Sequence, residues 1–167
     1  MTRAGIALGS NVGERLSHLR VARSMIAAAR GVHPPILASH IYETAPIGCE
    51  PGAADFLNAV IEIGYDGDAA TLHRELRSIE ITLGRLPDHT RNAPRTVDLD
   101  LLYFDNVILD TDSLKIPHPR MTDRRFVLQP LAEIRAELVL PRQTRSVAEL
   151  LESVADTSAV VRAATQW

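Results

Sequence analysis

The chain has a single cysteine, Cys49, in 167 residues, which excludes a disulfide within it and suits a reducing compartment. It has no run of about 18 consecutive apolar residues, so no membrane-spanning helix is expected. Its start, Met1-Thr2-Arg3-Ala4-Gly5-Ile6, lacks the apolar stretch and cleavage site of a secretory signal. Positive charge is not in excess: 18 Lys and Arg stand against 21 Asp and Glu, a formal net charge of -3. That balance argues against a general nucleic-acid or anionic-membrane binder, and any anion site has to be a local concentration of basic residues. No internal repeat is visible, and no apolar surface stripe. These absences predict a cytoplasmic monomer with neither nucleic acid nor membrane as partner. What is present, 46% hydrophobic and 23% charged residues, fits one globular domain over 1–167.

Ile6-Ala7-Leu8 reads as a strand that stops at Gly9-Ser10-Asn11. Leu16, Leu19, Ala22, Ile26 and Ala29 then recur at helical spacing, with Asn11 or Ser10 as the expected cap. Gly9 to Gly13 matches neither a dinucleotide-binding glycine pattern nor a phosphate loop with its lysine, so it reads as a structural turn. Ile36 to Tyr42 predicts a second strand running into Glu43-Thr44, followed by an irregular loop, Ala45-Pro46-Ile47-Gly48-Cys49-Glu50-Pro51-Gly52. Phe56 to Tyr65 alternates as a third strand, with Leu57, Ala59, Ile61 and Ile63 on one face and Phe56, Asn58, Val60 and Glu62 on the other. Phe56 and Asn58 thus sit together beside the loop. They read either as an aromatic face and amide for a flat heterocycle or as a core phenylalanine beside a strand-end asparagine.

Asp68 to Leu83 predicts a second helix, striped by Leu72, Leu76, Ile79 and Leu83 and stopped by Gly84, with Glu80 off the stripe. Arg85 to Arg95 has no apolar periodicity and predicts a loop over whatever follows. From Thr96 a strand begins in which Val97, Leu99, Leu101 and Tyr103 share one face and Asp98, Asp100, Leu102 and Phe104 the other. Val107-Ile108-Leu109 is expected to return as a hairpin on that strand. His118, between Pro117 and Pro119, is fixed in an extended segment, near phosphate or in a surface turn. Asp123-Arg124-Arg125-Phe126 reads as the cap and start of a helix that Pro130 limits or kinks, with Leu131 to Leu138 continuing it. Ser146 and Glu149 form a capping box for a last helix, packed back through Val147, Leu150, Leu151 and Val154. Asp156 to Trp167 carries no clear signal.

The informative stretch is Arg91-Asn92-Ala93-Pro94-Arg95-Thr96-Val97-Asp98-Leu99-Asp100-Leu101-Leu102. Side chains two apart on a strand start roughly 6 to 7 Å from each other, so two carboxylates can converge on one hard cation or each hold one of a pair. Magnesium suits such a site because it takes one or two carboxylates and fills its shell with water and phosphate oxygens. Arg85, Arg91 and Arg95 supply charge for a polyphosphate, so metal and arginines together point to a nucleotide triphosphate. A surface salt-bridge cluster between the aspartates and these arginines is the simpler alternative.

This stretch, R-x-A-P-R-T-x-D-L-D-L-L, resembles without a break the signature of the 6-hydroxymethyl-7,8-dihydropterin pyrophosphokinases. The resemblance runs from Ile6 to about Pro141, with further matches at Ala7-Leu8-Gly9-Ser10-Asn11, Tyr42-Glu43-Thr44 and Pro117-His118-Pro119-Arg120-Met121. A C-terminal helix and tail, 142–167, lie beyond it. The order of elements favours an α+β fold with a mostly antiparallel sheet, and the resemblance implies a ferredoxin-like core. It further implies transfer of pyrophosphate from ATP to 6-hydroxymethyl-7,8-dihydropterin, giving AMP, with Asp98 and Asp100 holding two magnesium ions. By the same resemblance Arg85 and Arg95 join the aspartates in catalysis, while Glu80, Arg91, Arg95, His118 and Arg124 bind ATP. Thr44, Ala45, Ile47, Phe56, Asn58 and Phe126 fall at pterin positions, with the two phenylalanines sandwiching the ring. The sequence differs from the best-known version of the pattern at Ala45, Pro87, Asn92 and Pro119. The rival readings are a ferredoxin-like module that only binds a small ligand, and an ordinary kinase or phosphohydrolase that would yield ADP or phosphate.

Overall fold

The computed structural model describes residues 1–46, 51–84, 96–164 and 166–167. Along the chain run β1 (Thr2–Ser10), α1 (Arg15–Ala28), β2 (Val32–Ala38), β3 (Ile41–Thr44), β4 (Phe56–Tyr65), α2 (Ala69–Thr82) and β5 (Asp98–Phe104). Then come β6 (Leu109–Asp110), β7 (Lys115–Ile116), a 3-10 turn (Met121–Asp123), α3 (Arg125–Arg135), α4 (Val147–Ser153) and β8 (Val160–Ala164). Among the described residues six strands form one sheet in the order β5-β1-β4-β3-β8, with β2 also on β4, and each of these pairings is antiparallel. This is the α+β fold expected, with the split β-α-β order of a ferredoxin-like core.

Both sheet faces are buried. On one, Ala4, Ile6, Leu8, Leu57, Ala59, Ile61 and Ile63 meet Leu19, Ala22 and Ile26 of α1 and Leu72, Leu76 and Ile79 of α2. On the other, Val60, Leu102 and Tyr103 meet Val127, Leu128 and Leu131 of α3 and Val147 and Leu150 of α4. The α2 boundaries follow their signals: Asp68 accepts from the Thr71 N–H at 2.7 Å, and Gly84 takes φ +101° just past the helix. The Ser146–Glu149 capping box opens α4 as expected.

Five local expectations are corrected. Neither Ser10 nor Asn11 caps α1: the β1–β4 ladder runs on to Ser10 opposite Leu57, so the chain turns later, through Gly13 at φ +62°, and Glu14 stands at the cap without a side-chain bond. The second strand is two, β2 and β3. The β2–β4 register shifts between His33 and Leu37, across Pro34 and Pro35, which have no N–H for a ladder. Asp123 does not cap α3, since it lies in the 3-10 turn; the helix starts at Arg125, passes through Pro130 and ends at Arg135. Val107 to Leu109 does not pair with β5. Asp105, at φ 42°, turns the chain off the sheet, and β6 pairs instead with β7 around a turn closed by Thr111 and Leu114.

The fifth correction bears on the site. Gly5 lies opposite Tyr103 but Ile6 lies opposite Leu101, so Leu102 is an extra residue in β5, a bulge. It reverses the alternation beyond it. Tyr103 joins the face carrying the aspartates, and Phe104 crosses to the other, where it meets Tyr65 edge-on at 6.3 Å.

Candidate active site

The register of three strands builds the site. Gly9 of β1 is opposite Asn58 of β4 on one side and Asp98 of β5 on the other; Ala7 is likewise flanked by Val60 and Asp100. Since alternate residues share a face, Phe56, Asn58, Asp98 and Asp100 rise from the sheet on the α3 side. Between them β1 contributes only Gly9 and Ala7. The result is a cleft of about 480 Å³ with a low floor, walled by Thr44, Ala45, Phe56 and Asn58 on one side, Asp98 and Asp100 on the other, and Arg124 and Phe126 from the start of α3.

Asn58 is buried, and its side-chain N–H donates to Thr44 Oγ1 at 2.7 Å. That bond orients the amide, leaving its oxygen over Gly9, where a Cβ would approach it to 3.2 Å. Gly9 was expected as a turn residue; it is a strand residue whose missing side chain keeps the floor open. Phe126 is half-buried on the first turn of α3, with the Arg124 guanidinium 5.4 Å from its ring centre.

Burial pushes the Asp100 carboxyl up to about 6, helped by the negative charges of Asp98 and Glu80, while Arg77 and Arg124 act against it. A half-buried carboxyl whose proton affinity is raised beside a second carboxylate favours a cation at that position. Among the described residues no group of three or more His, Cys, Asp or Glu has the geometry of a metal site. A cation here would draw two ligands from those residues and the rest from water or a ligand's oxygens, as magnesium does.

Glu80 does not line the cleft. It is buried beneath β5, where Oε1 accepts the Leu99 N–H at 2.7 Å and Oε2 meets Arg77 at 3.0 Å. It braces the strand between the two aspartates. His118 also lies outside the main cleft, in a neighbouring one of about 260 Å³ with Lys115, Pro117 and Arg142. Its backbone N–H donates to Leu102 O at 2.7 Å, and burial, with the charges of Arg124 and Arg120, holds its imidazole below the usual range. The structure therefore brings together Thr44, Ala45, Phe56, Asn58, Asp98, Asp100, Arg124 and Phe126. Ile47, Arg85, Arg91 and Arg95 lie outside the described residues, as do Pro87 and Asn92.

Two lining residues had no sequence signal: Asp156 and Ser158, from the tail. Gly9 and Ala7 did have one, the alternation of small residues Gly5-Ala7-Gly9 on a strand. No helix among the described residues is long and apolar enough to cross a membrane.

A family model described as 7,8-dihydro-6-hydroxymethylpterin-pyrophosphokinase matches residues 5–136. The chain is 44% identical over 131 residues to the 2-amino-4-hydroxy-6-hydroxymethyldihydropteridine pyrophosphokinase of Bacillus subtilis, covering 78% of this chain and 77% of that protein. Its identity to the Haemophilus influenzae protein of the same name is 36% over 156 residues, 93% of this chain and 95% of that one. Among solved structures, it is similar to wild-type HPPK-DHPS of Plasmodium falciparum with pteroate, with a TM-score of 0.69 and 14% sequence identity. That match covers 91% of this chain but 42% of the longer one, so the chain spans less than half of that protein and the likeness speaks for the fold.

Proposed function

This chain belongs to the 7,8-dihydro-6-hydroxymethylpterin-pyrophosphokinase family, and from that premise we propose that it transfers pyrophosphate from ATP to 6-hydroxymethyl-7,8-dihydropterin in folate biosynthesis, releasing AMP. The observation that carries this reading is the row Asn58–Gly9–Asp98. A heterocycle over Gly9 would have an oriented amide on one side and, one strand away, the carboxylate edge where a triphosphate and its cation belong.

In this reading Phe56 and Phe126 close on the two faces of the pterin, and Thr44, Ala45 and Asn58 border it. The hydroxymethyl oxygen is thereby aimed at the β-phosphorus, and attack in line with the bond to the α-phosphate oxygen frees AMP. Asp98 and Asp100 would hold two magnesium ions, which when bound supply positive charge to the triphosphate and the leaving oxygen. Arg124, on the wall facing the aspartates, adds a fixed positive charge for phosphate. Glu80 fixes β5 from behind, and His118 borders the nucleotide side. Arg85, Arg91 and Arg95 complete the proposed phosphate-binding set. We assign no general base, because phosphoryl transfer rests mainly on positioning and electrostatics. The chain is read as one pyrophosphokinase domain, acting as a cytoplasmic monomer.

The test is to mix the protein with ATP, magnesium and 6-hydroxymethyl-7,8-dihydropterin and resolve the nucleotides. AMP formed one-for-one with pterin diphosphate is the expected result. ADP would mean an ordinary kinase. Pterin binding without turnover would mean a binding module.

A further inference from the structure

The family model ends at residue 136, yet the cleft is closed by residues twenty positions further on. Asp156 stands where the chain leaves α4 and heads for β8. One carboxylate oxygen, Oδ2, accepts the Arg125 N–H at 2.9 Å, and the other, Oδ1, accepts the Ser158 N–H at 2.9 Å and the Ser158 hydroxyl. These bonds outweigh the effect of burial and hold the carboxyl below its usual range, so it is ionised at neutral pH.

Arg125 is the first residue of α3, and its cap residue, Arg124, makes no side-chain capping bond. The helix start has first-turn N–H groups to satisfy, and Asp156 accepts the one on Arg125 from 31 residues away. The two residues flanking that tethered amide are Arg124 and Phe126, the pair that α3 contributes to the cleft. Beyond Ser158 the same segment pairs with β3, Val160 lying opposite Thr44, whose hydroxyl orients Asn58. A single short stretch thus ties the α3 wall to the β3 wall.

We infer that Asp156 is a positioning residue for the pterin side of the cleft: its carboxylate fixes the start of α3 so that Phe126 and Arg124 stand at the right distance from Phe56 and Asn58. Asp156 itself acts through the helix and not on the reacting atoms. The inference rests on the pterin reading given above. A ligand clamped between two rings is sensitive to sub-ångström displacement of either, so the effect belongs in pterin affinity and in KM more than in kcat.

The experiment measures binding of 6-hydroxymethylpterin by fluorescence, in the presence of magnesium and a non-hydrolysable ATP analogue, on full-length variants. Asp156→Ala should weaken binding by about five- to tenfold, the size of a lost helix cap. In a Phe126→Ala background the same substitution should change affinity less than about twofold, because the group it positions is gone. Arg125→Pro deletes the N–H while leaving Asp156 in place. The first helical position tolerates proline, so this variant should reproduce the loss where Arg125→Ala does not, and it reads the same bond if Asp156→Ala fails to fold. Unchanged affinity in folded Asp156→Ala or Arg125→Pro overturns the inference, and so does an equal loss with and without Phe126. A wild-type chain that binds no pterin sinks the underlying reading as well, an outcome distinguishable because it needs no variant.

Discussion

The Tyr103 hydroxyl donates to the Glu62 carboxylate at 2.6 Å across the intervening strand β1, and the ring passes over Gly5, where a Cβ would lie 2.1 Å from Tyr103 Cε1. Arg135 donates to both Glu62 oxygens and Arg3 to one, so a carboxylate with 2% exposure is fully paired. Gly5→Ala should therefore displace the ring and cost about 2 kcal/mol, in the range of overpacked cores. Urea denaturation monitored by circular dichroism reads this directly; a midpoint within error of wild type would contradict the contact.

Glu62 also sets a pH dependence. Burial alone would raise its carboxyl, but the bonds from Arg135 and Tyr103 and the charges of Arg135 and Arg3 bring it below its ordinary value of 4.5. A folded-state value below the unfolded one gives stability that is present above about pH 4.5 and lost as pH falls through the folded value. Glu62→Gln should cost about 2 kcal/mol at pH 7 and flatten the acid limb of the melting temperature. Parallel acid limbs in variant and wild type would refute the assignment.

Asp98→Ala and Asp100→Ala should each lower turnover by on the order of 10³-fold, and chelating magnesium should stop it. The fold should survive. Because the Asp100 carboxyl is raised to about 6 by burial and by its acidic neighbours, its ionisation opposes folding as pH rises through that value. Asp100→Asn should thus melt no lower, and above pH 6 higher, than the metal-free wild type. Near-normal turnover in either alanine variant, or a lower melting temperature for Asp100→Asn at pH 8, would count against a carboxylate pair built for a cation.

Phe126→Ala should weaken pterin binding by roughly tenfold, the loss of one stacked ring, with little effect on ATP. Calorimetric titration with each ligand separates the two. Equal losses would remove the sandwich.

Much of this was legible in the sequence for local reasons. The β4 strand reads off the alternation from Phe56 to Tyr65, and α2 off its stripe between Asp68 and Gly84, because those signals act within a few residues. The two aspartates fall on one face of β5 for the same reason. What was not legible depends on partners far along the chain. The bulge at Leu102 is visible only when β5 is laid against Gly5 and Ile6. Strand β8 has no periodicity of its own and exists by pairing with β3. Glu80 sat off an apolar stripe, yet it is buried, since its carboxylate is satisfied by a backbone N–H 19 residues away.

The alternation of Gly5, Ala7 and Gly9 gives the middle of the sheet a shallow trough along β1, open on the α3 side. At one end the protein lays a flat ring of its own, Tyr103, against Gly5. At the other, over Gly9, the trough opens into the cleft, and in the reading proposed above it takes the flat ring of the pterin. One strand of small residues thus serves as a bench with two seats, one filled at folding and the other filled once in every catalytic cycle proposed here.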